Sequence, residues 1–120
     1  MVKLVCLVKR KPGLSPEEFH HHWREVHGPL VRGTEMARQY VLRYEQHHRL
    51  PSDYQRADTD WDGVAVMWFA STDDYWAFVS HPDYATTVHP DEQQFLDTDH
   101  LVWLLTDEPD VLIDRLPPGA

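Results

Sequence analysis

The stretch Lys11 to Leu30, KPGLSPEEFHHHWREVHGPL, constrains this chain more than any other. Pro12-Gly13 is a turn signal that stops whatever precedes it. Ser15 stands three residues before Glu18, with Pro16 between them. That is a capping box, with proline at the first helical position, where its missing N–H does no harm. Phe19, Trp23, Val26 and Leu30 follow at spacings of four, three and four, one apolar stripe of a helix. The spacing predicts a helix from Pro16 to about His27, broken or kinked near its end by Pro29. His27 lies four residues after Trp23, at the margin of the buried face.

Around this helix the chain reads as alternating strands and helices. Val2 to Val8 is apolar on both faces, as a central strand is. Leu30 to Met36 reads as a connection or a last irregular turn. Ala37 to Leu50 reads as a second strand, with Tyr40, Leu42, Tyr44, Gln46 and His48 on one face and mostly charged residues on the other. One wet face marks an edge strand. Pro51 to Asp62 is a polar loop; its Asp58-Thr-Asp60-Trp-Asp62-Gly63 run opens like a calcium loop but has Phe69 where the bidentate glutamate belongs. Calcium is rejected, and Asp62-Gly63 is read as a turn. Val64 to Ala70 is the other central strand. Ser71 or Thr72 caps a second helix carrying Tyr75, Phe78 and Val79, ended by His81-Pro82. Tyr84 to Val88 adds a helical turn, Pro90 starts a short helix ending near Asp97, and Leu101 to Thr106 is the fourth strand. Residues 108–120 are read as an arm that frays at its end.

The order β-α-β-β-α-β over a single domain, residues 1–120, gives an α+β, ferredoxin-like fold with a four-stranded antiparallel sheet and both helices on one face. The uncovered face carries Val, Leu and Trp side chains and needs a cover. A second copy in a C2 dimer is the simplest one.

Twenty acidic residues against 11 basic ones give a net charge of -9, which repels nucleic-acid phosphates and anionic membranes alike. The lone Cys6 allows no internal disulfide and reads as a small buried hydrophobe. The first residues contain no run long enough for a signal peptide or a membrane span, so the expected location is the cytoplasm.

Lys9-Arg-Lys-Pro-Gly-Leu-Ser15, Glu17-Glu18-Phe19, Trp23 and His27-Gly28-Pro29-Leu30 resemble the opening of EthD-like proteins of the dimeric α/β-barrel superfamily. Arg43-Tyr44-Glu-Gln46-His-His48, Asp62-Gly63-Val-Ala-Val-Met-Trp68-Phe69 and Asp91-Glu92-Gln-Gln-Phe95-Leu-Asp97 resemble three further stretches of that family, over roughly residues 3 to 107. The resemblance implies a homodimer with a small-molecule pocket between sheet and helices in each subunit. Related barrels include cofactor-free oxygenases, polyketide cyclases and dehydratases, isomerases and haem-degrading enzymes, so the fold analogy gives a site but not a reaction.

Nine histidines invite a metal reading, but His20, His21 and His22 fan out about 100° apart on a helix and cannot converge on one ion. They read as a solvated helix face, and no metal site is expected. His27 combines an apolar margin with a helix C-terminus, where the macrodipole favours imidazolium and burial favours the neutral form. It is either a general acid or base or a C-capping histidine. His48 and Tyr44 share a strand face; Tyr44 either polarises a carbonyl or is a packed aromatic. Phe19, Trp23, Tyr40, Trp68 and Phe95 are expected as aromatic pocket walls, or as core. Asp97 and His100 are weaker candidates at the mouth of the last strand, and His89, in a loop before Pro90, reads as a surface residue. There is no nucleophile elbow, Gly-rich phosphate cradle or nucleotide fingerprint. The expectation is a cofactor-independent enzyme doing acid–base chemistry (dehydration, cyclisation, isomerisation) on an apolar, aromatic or polyketide-like molecule. His27 and His48 would carry protons, with Tyr44 as carbonyl donor. An oxygenase, cofactor-free or haem-associated, and a non-catalytic ligand-binding protein are the rivals.

Overall fold

In the computed structural model, which describes residues 1–120, four strands form one antiparallel sheet in the order β2-β3-β1-β4. They are β1 (Val2–Val8), β2 (Arg43–His48), β3 (Gly63–Phe69) and β4 (Val102–Thr106). The two apolar runs are the central pair and the polar strand is an edge, as alternation against continuous apolarity dictates. The helices cover one face: α1 (Pro16–His22), α2 (Gly28–Arg32), α3 (Glu35–Tyr40), α4 (Thr72–Ser80) and α5 (His89–Phe95). No helix is long and apolar enough to cross a membrane.

Helix α1 begins as read, with Ser15 Oγ accepting from the Glu18 N–H and Glu18 reaching back to the Ser15 N–H. It does not stop at His27. A π-helical stretch, Trp23–His27, carries it into α2, with Gly28 N–H bonded to the Trp23 carbonyl. Pro29 falls in the first turn of α2, where no N–H is needed, so it neither breaks nor ends the helical course. His27 is therefore a mid-helix residue, and the C-terminal macrodipole reading of it is wrong.

The second strand is also shorter than alternation suggested. Ala37–Tyr40 belong to α3, capped by Thr34 Oγ1 accepting from the Ala37 N–H. The run Glu35-Met-Ala-Arg-Gln39 favours helix at every position. Tyr40 thus sits at a helix end against the core formed by Val31, Met36, Phe69, Tyr75, Phe78 and Val88.

A second core joins Val8, Phe19, Trp23, Phe95 and Leu96. Gly63 makes room for it: a Cβ there would lie 2.6 Å from the Trp23 ring and 2.5 Å from the His47 carbonyl. Asp62, fully buried, accepts the Arg10 N–H at 2.7 Å, the Arg10 Nη1–H at 2.7 Å and the Tyr54 hydroxyl at 2.6 Å. It is a buried anchor between the end of β1 and the loop before β3, rather than a simple turn residue.

Register fixes which side chains share a face. Tyr44, Met67, Leu4 and Leu105 stand in one row across the sheet, facing the helices. Glu45, Val66, Val5 and Leu104 stand in another, on the face no helix covers.

Candidate active site

Between the sheet and the helices lies a cavity of about 300 Å³. Its wall is almost wholly apolar, from Leu4, Ala65 and Met67 on the floor to Phe78 and Val79 on α4. The ionisable groups on it are His27, Glu92, Cys6 and the phenols of Tyr44, Tyr75 and Tyr84. Both π-helical stretches border it: Trp23–His27 contributes Trp23 and His27, and Tyr84–Val88 contributes Tyr84 and Val88. A π turn inserts one residue into the helical repeat and re-aims the side chains that follow it.

His27 is held by Asp91 on α5, whose Oδ2 lies 2.8 Å from Nδ1. A carboxylate only accepts, so Nδ1 carries the proton and Nε2 is the bare, basic nitrogen. Asp91 also accepts from His22 Nε2 at 3.0 Å. His27 is 6% exposed, and burial pushes its pKa below the ordinary imidazole value, against its hydrogen bond to Asp91 and the charges of Glu92 and Asp91, which raise it. His22 opposes protonation too. The result is a neutral imidazole with its tautomer fixed, the arrangement a general base needs.

Tyr44 reaches the same cavity from β2. Its oxygen accepts from Gln46 Nε2 at 3.0 Å, and the same amide donates to the Trp23 carbonyl at 2.8 Å. The phenol proton is left free, and burial raises the Tyr44 pKa, so it remains a donor. Tyr84 donates to Glu92 Oε1 at 2.7 Å. Cys6 is on the wall, but burial pushes its thiol up to about 11, which keeps it protonated and inert.

The remaining expected residues fall in different places. Trp23 lines the cavity. Phe19 and Phe95 are fully buried behind it, and Phe95 packs its ring 4.8 Å from that of His27, so they support the site rather than wall it. Tyr40 packs into the core from the end of α3. Trp68 is on the uncovered sheet face, under the Lys3 ammonium and the Arg43 guanidinium, because its register places it opposite those residues. It is not a pocket wall. His48 faces the helices but lies outside the cavity, 4.5 Å from the Trp23 ring, bonded to Gln46 and His20. The solvated-face reading of His20 to His22 holds only for His21: His20 bonds His48 and Tyr54, and His22 stacks on Phe95. Asp97 and His100 pair at the surface, and His89 leans on Glu92.

Asp91, Glu92 and Tyr84 were not singled out by sequence reasoning as site residues. Their signal was the Asp91-Glu92 pair at a helix start, which reads first as helix-dipole compensation.

Comparison with known proteins bears on this geometry. The EthD domain family model matches residues 11–99. The dehydratase aurZ of Gibberella zeae is 31% identical over 109 residues, covering 79% of this chain and 70% of that protein. The dehydratase ustZ of Ustilaginoidea virens is 30% identical, covering 74% and 70%. Among solved structures, an EthD family protein of Bacillus halodurans superposes with a TM-score of 0.66 at 16% identity, over 91% of this chain and 99% of that one. A protein of Bacteroides fragilis described as dimeric and ferredoxin-like gives 0.61 at 12%, over 89% and 95%. SnoaB of Streptomyces nogalater, a cofactor-independent oxygenase, gives 0.59 at 12%, over 94% and 97%.

Proposed function

This chain belongs to the EthD domain family, and on that premise we propose that it is a dehydratase that removes water from an apolar, aromatic or polyketide-like substrate without a cofactor. The observation that carries the reading is the His27–Asp91 pair opening into an apolar cavity beside the free phenol proton of Tyr44. The two curated relatives named dehydratases support it.

A β-hydroxy carbonyl compound fits this chemistry. Tyr44 donates to the carbonyl oxygen and stabilises the enolate as it forms. His27 Nε2 takes the proton from the α-carbon, and the imidazolium formed is stabilised by Asp91. The C–O bond to the β-hydroxyl then breaks, the carbon–carbon double bond forms, and the leaving oxygen takes the proton back from His27. One water and one unsaturated carbonyl result, so atoms and charge balance using the chain's own residues. The apolar wall excludes bulk water, which strengthens each of these contacts.

The same reading makes the protein a homodimer through the uncovered sheet face, where Val5, Val66 and Leu104 stand in one row. The Bacteroides fragilis neighbour described as dimeric supports that assembly.

A panel of aromatic β-hydroxy ketones incubated with purified protein and followed by mass spectrometry tests the function. Loss of one water from a panel member, abolished by His27→Ala, is expected. Oxygen uptake during turnover would assign the oxygenase reading instead, and a tightly held, unaltered ligand would assign the binding-protein reading.

A further inference from the structure

A second, open depression of about 510 Å³ lies outside the cavity, along the β2 edge. Arg24, Arg32, Arg38 and Arg43 line it and no acidic residue does, on a chain of net charge -9. Arg38 and Arg43 pair with Glu35 and Glu45, whereas the side chains of Arg24 and Arg32 make no hydrogen bond or ion pair within the chain. Those two arginines flank Gly28 by one helical turn on either side. Gly28 lets the helix approach β2, since a Cβ there would lie 2.9 Å from Gln46 Nε2. Val31 and Tyr44 line both this groove and the cavity, so the groove is the outer side of the site's wall.

The chain also carries the complement of such a groove. Beyond β4, residues 107–116 read DEPDVLIDRL, four acids against one arginine. The segment has no regular secondary structure, and Val111, Leu112, Ile113 and Leu116 are 65–91% exposed. Four large apolar side chains in water, on an arm whose start is pinned by the Met1 ammonium to Glu108, are an unfinished contact. The radius of gyration, 15.3 Å, exceeds the roughly 13.6 Å of a compact chain of this length, as a projecting arm requires.

Register says where a partner's arm would arrive. Thr106, Lys3, Trp68 and Arg43 stand in one row across the sheet, so β4 ends at the same end of the sheet at which β2, and the groove, begin. A two-fold axis parallel to the strands, relating two sheets packed face to face, sets one copy's β4 edge beneath the other's β2 edge and preserves the end. The sheets would lie about 10 Å apart, and ten extended residues reach roughly 33 Å.

We propose that the 107–116 arm of a second copy docks in the arginine groove. Asp110 and Asp114 face Arg24 and Arg32, Val111 and Ile113 cover Val41 and Leu42, and each active-site wall at Tyr44 is backed by the partner. This rests on the homodimer reading and goes beyond it, since a dimer can form through the sheet face with both arms free.

The full-length protein with the photo-cross-linking amino acid p-benzoylphenylalanine at Ile113 tests it, with mass measured by analytical ultracentrifugation. Cross-links between copies that map to residues 24–43 are expected. A dimer that cross-links within its own chain, or at another surface, overturns the arm's docking and leaves the dimer intact; a monomer overturns both. Arg24→Glu with Arg32→Glu raises the dimer dissociation constant at least tenfold, as does Asp110→Arg with Asp114→Arg, and all four together restore most of it. Failure of the combined exchange to restore association, with native circular dichroism throughout, overturns the pairing. Saturable binding of inorganic phosphate by Arg24 and Arg32 in the intact dimer would show a groove open to small anions and also overturn it.

Discussion

Asp91 Oδ2 accepts the Nδ1 proton of His27 at 2.8 Å, across 64 residues of sequence, and so determines which ring nitrogen faces the cavity. His27→Ala is expected to lower turnover about 10²- to 10⁴-fold, the usual contribution of a general base. Asp91→Asn leaves an amide oxygen to accept from His27 Nδ1 but removes the Asp91 charge that helps raise the His27 pKa, so that pKa falls further. Activity needs neutral His27, so the wild-type rate falls only on the acid side of the ordinary imidazole range. The Asp91→Asn limb lies at still lower pH, with a lower plateau. A pH–rate profile of both proteins measures this; a limb that moves to higher pH contradicts the assignment.

A second chain of contacts runs from the sheet to the loop: Gln46 Oε1 to His48 Nε2 at 2.9 Å, His48 Nδ1 to His20 Nδ1 at 2.6 Å, His20 Nε2 to Tyr54 at 2.8 Å, and Tyr54 to Asp62 at 2.6 Å. Both ends only accept: the Gln46 amide nitrogen is committed to Trp23 and Tyr44, and Asp62 receives Arg10. Four contacts need four protons, and two neutral imidazoles and a phenol bring three. The complete chain therefore holds one extra proton between His20 and His48. Burial, then Arg24, push the His48 pKa down to about 4, and burial, then Arg24 and Arg10 against Asp62 and Glu17, also lowers His20. Near neutral pH the pair lacks that proton and one contact is open. Because the folded pKa values lie below the unfolded ones, the stability that depends on keeping the pair neutral is present above about pH 6.5 and is lost as pH falls towards 4. Nitrogen-15 NMR of the two imidazoles is expected to show them taking up one proton between them in that acid window. Independent titration of both near pH 6.5 would rule the coupling out.

The Arg10–Asp62 contact predicts a structural loss. Asp62 is fully buried whereas Arg10 is about a third exposed, so the loss comes chiefly from the donors left without an acceptor, about 1–3 kcal/mol each. Asp62→Ala also frees the Arg10 N–H and the Tyr54 hydroxyl. Its thermal midpoint is expected roughly 10 °C or more below wild type by circular dichroism. A shift of only a degree or two would mean that water replaces the carboxylate at no cost.

What could be read in the sequence follows from how local each signal is. Ser15, Glu18 and Pro16 act within one turn, and the helix begins where they say. The apolar runs of β1 and β3 define the sheet centre because burial on both faces leaves no other reading. The π turn at Trp23–His27 has no compositional mark; it is set by Gln46 reaching the Trp23 carbonyl and by packing on Gly63. That is why spacing alone puts His27 at a helix end. The side on which Trp68 stands is hidden for a related reason: an apolar strand shows alternation but not which face meets the helices, and that depends on register with β1. Asp91 and Asp62 act across the fold, at separations no window of sequence connects.

The uncovered face carries the last prediction. Leu104, Val5 and Val66 form an apolar row, with Leu104 48% exposed, rimmed by Lys3, Arg43 and Glu45. A second copy packed on this row would bury it; Val5 stands between Val66 and Leu104, so a lysine there has no carboxylate directly opposite and would be desolvated unpaired. Val5→Lys is therefore expected to yield a folded monomer at micromolar concentration, by light scattering after gel filtration. Leu50→Lys, more exposed at 68% but placed in a loop away from the sheet face, leaves the assembly unchanged. Val5→Lys that remains dimeric with a native near-ultraviolet spectrum would place the interface elsewhere, because no packed sheet pair accepts a buried, unpaired ammonium at its centre.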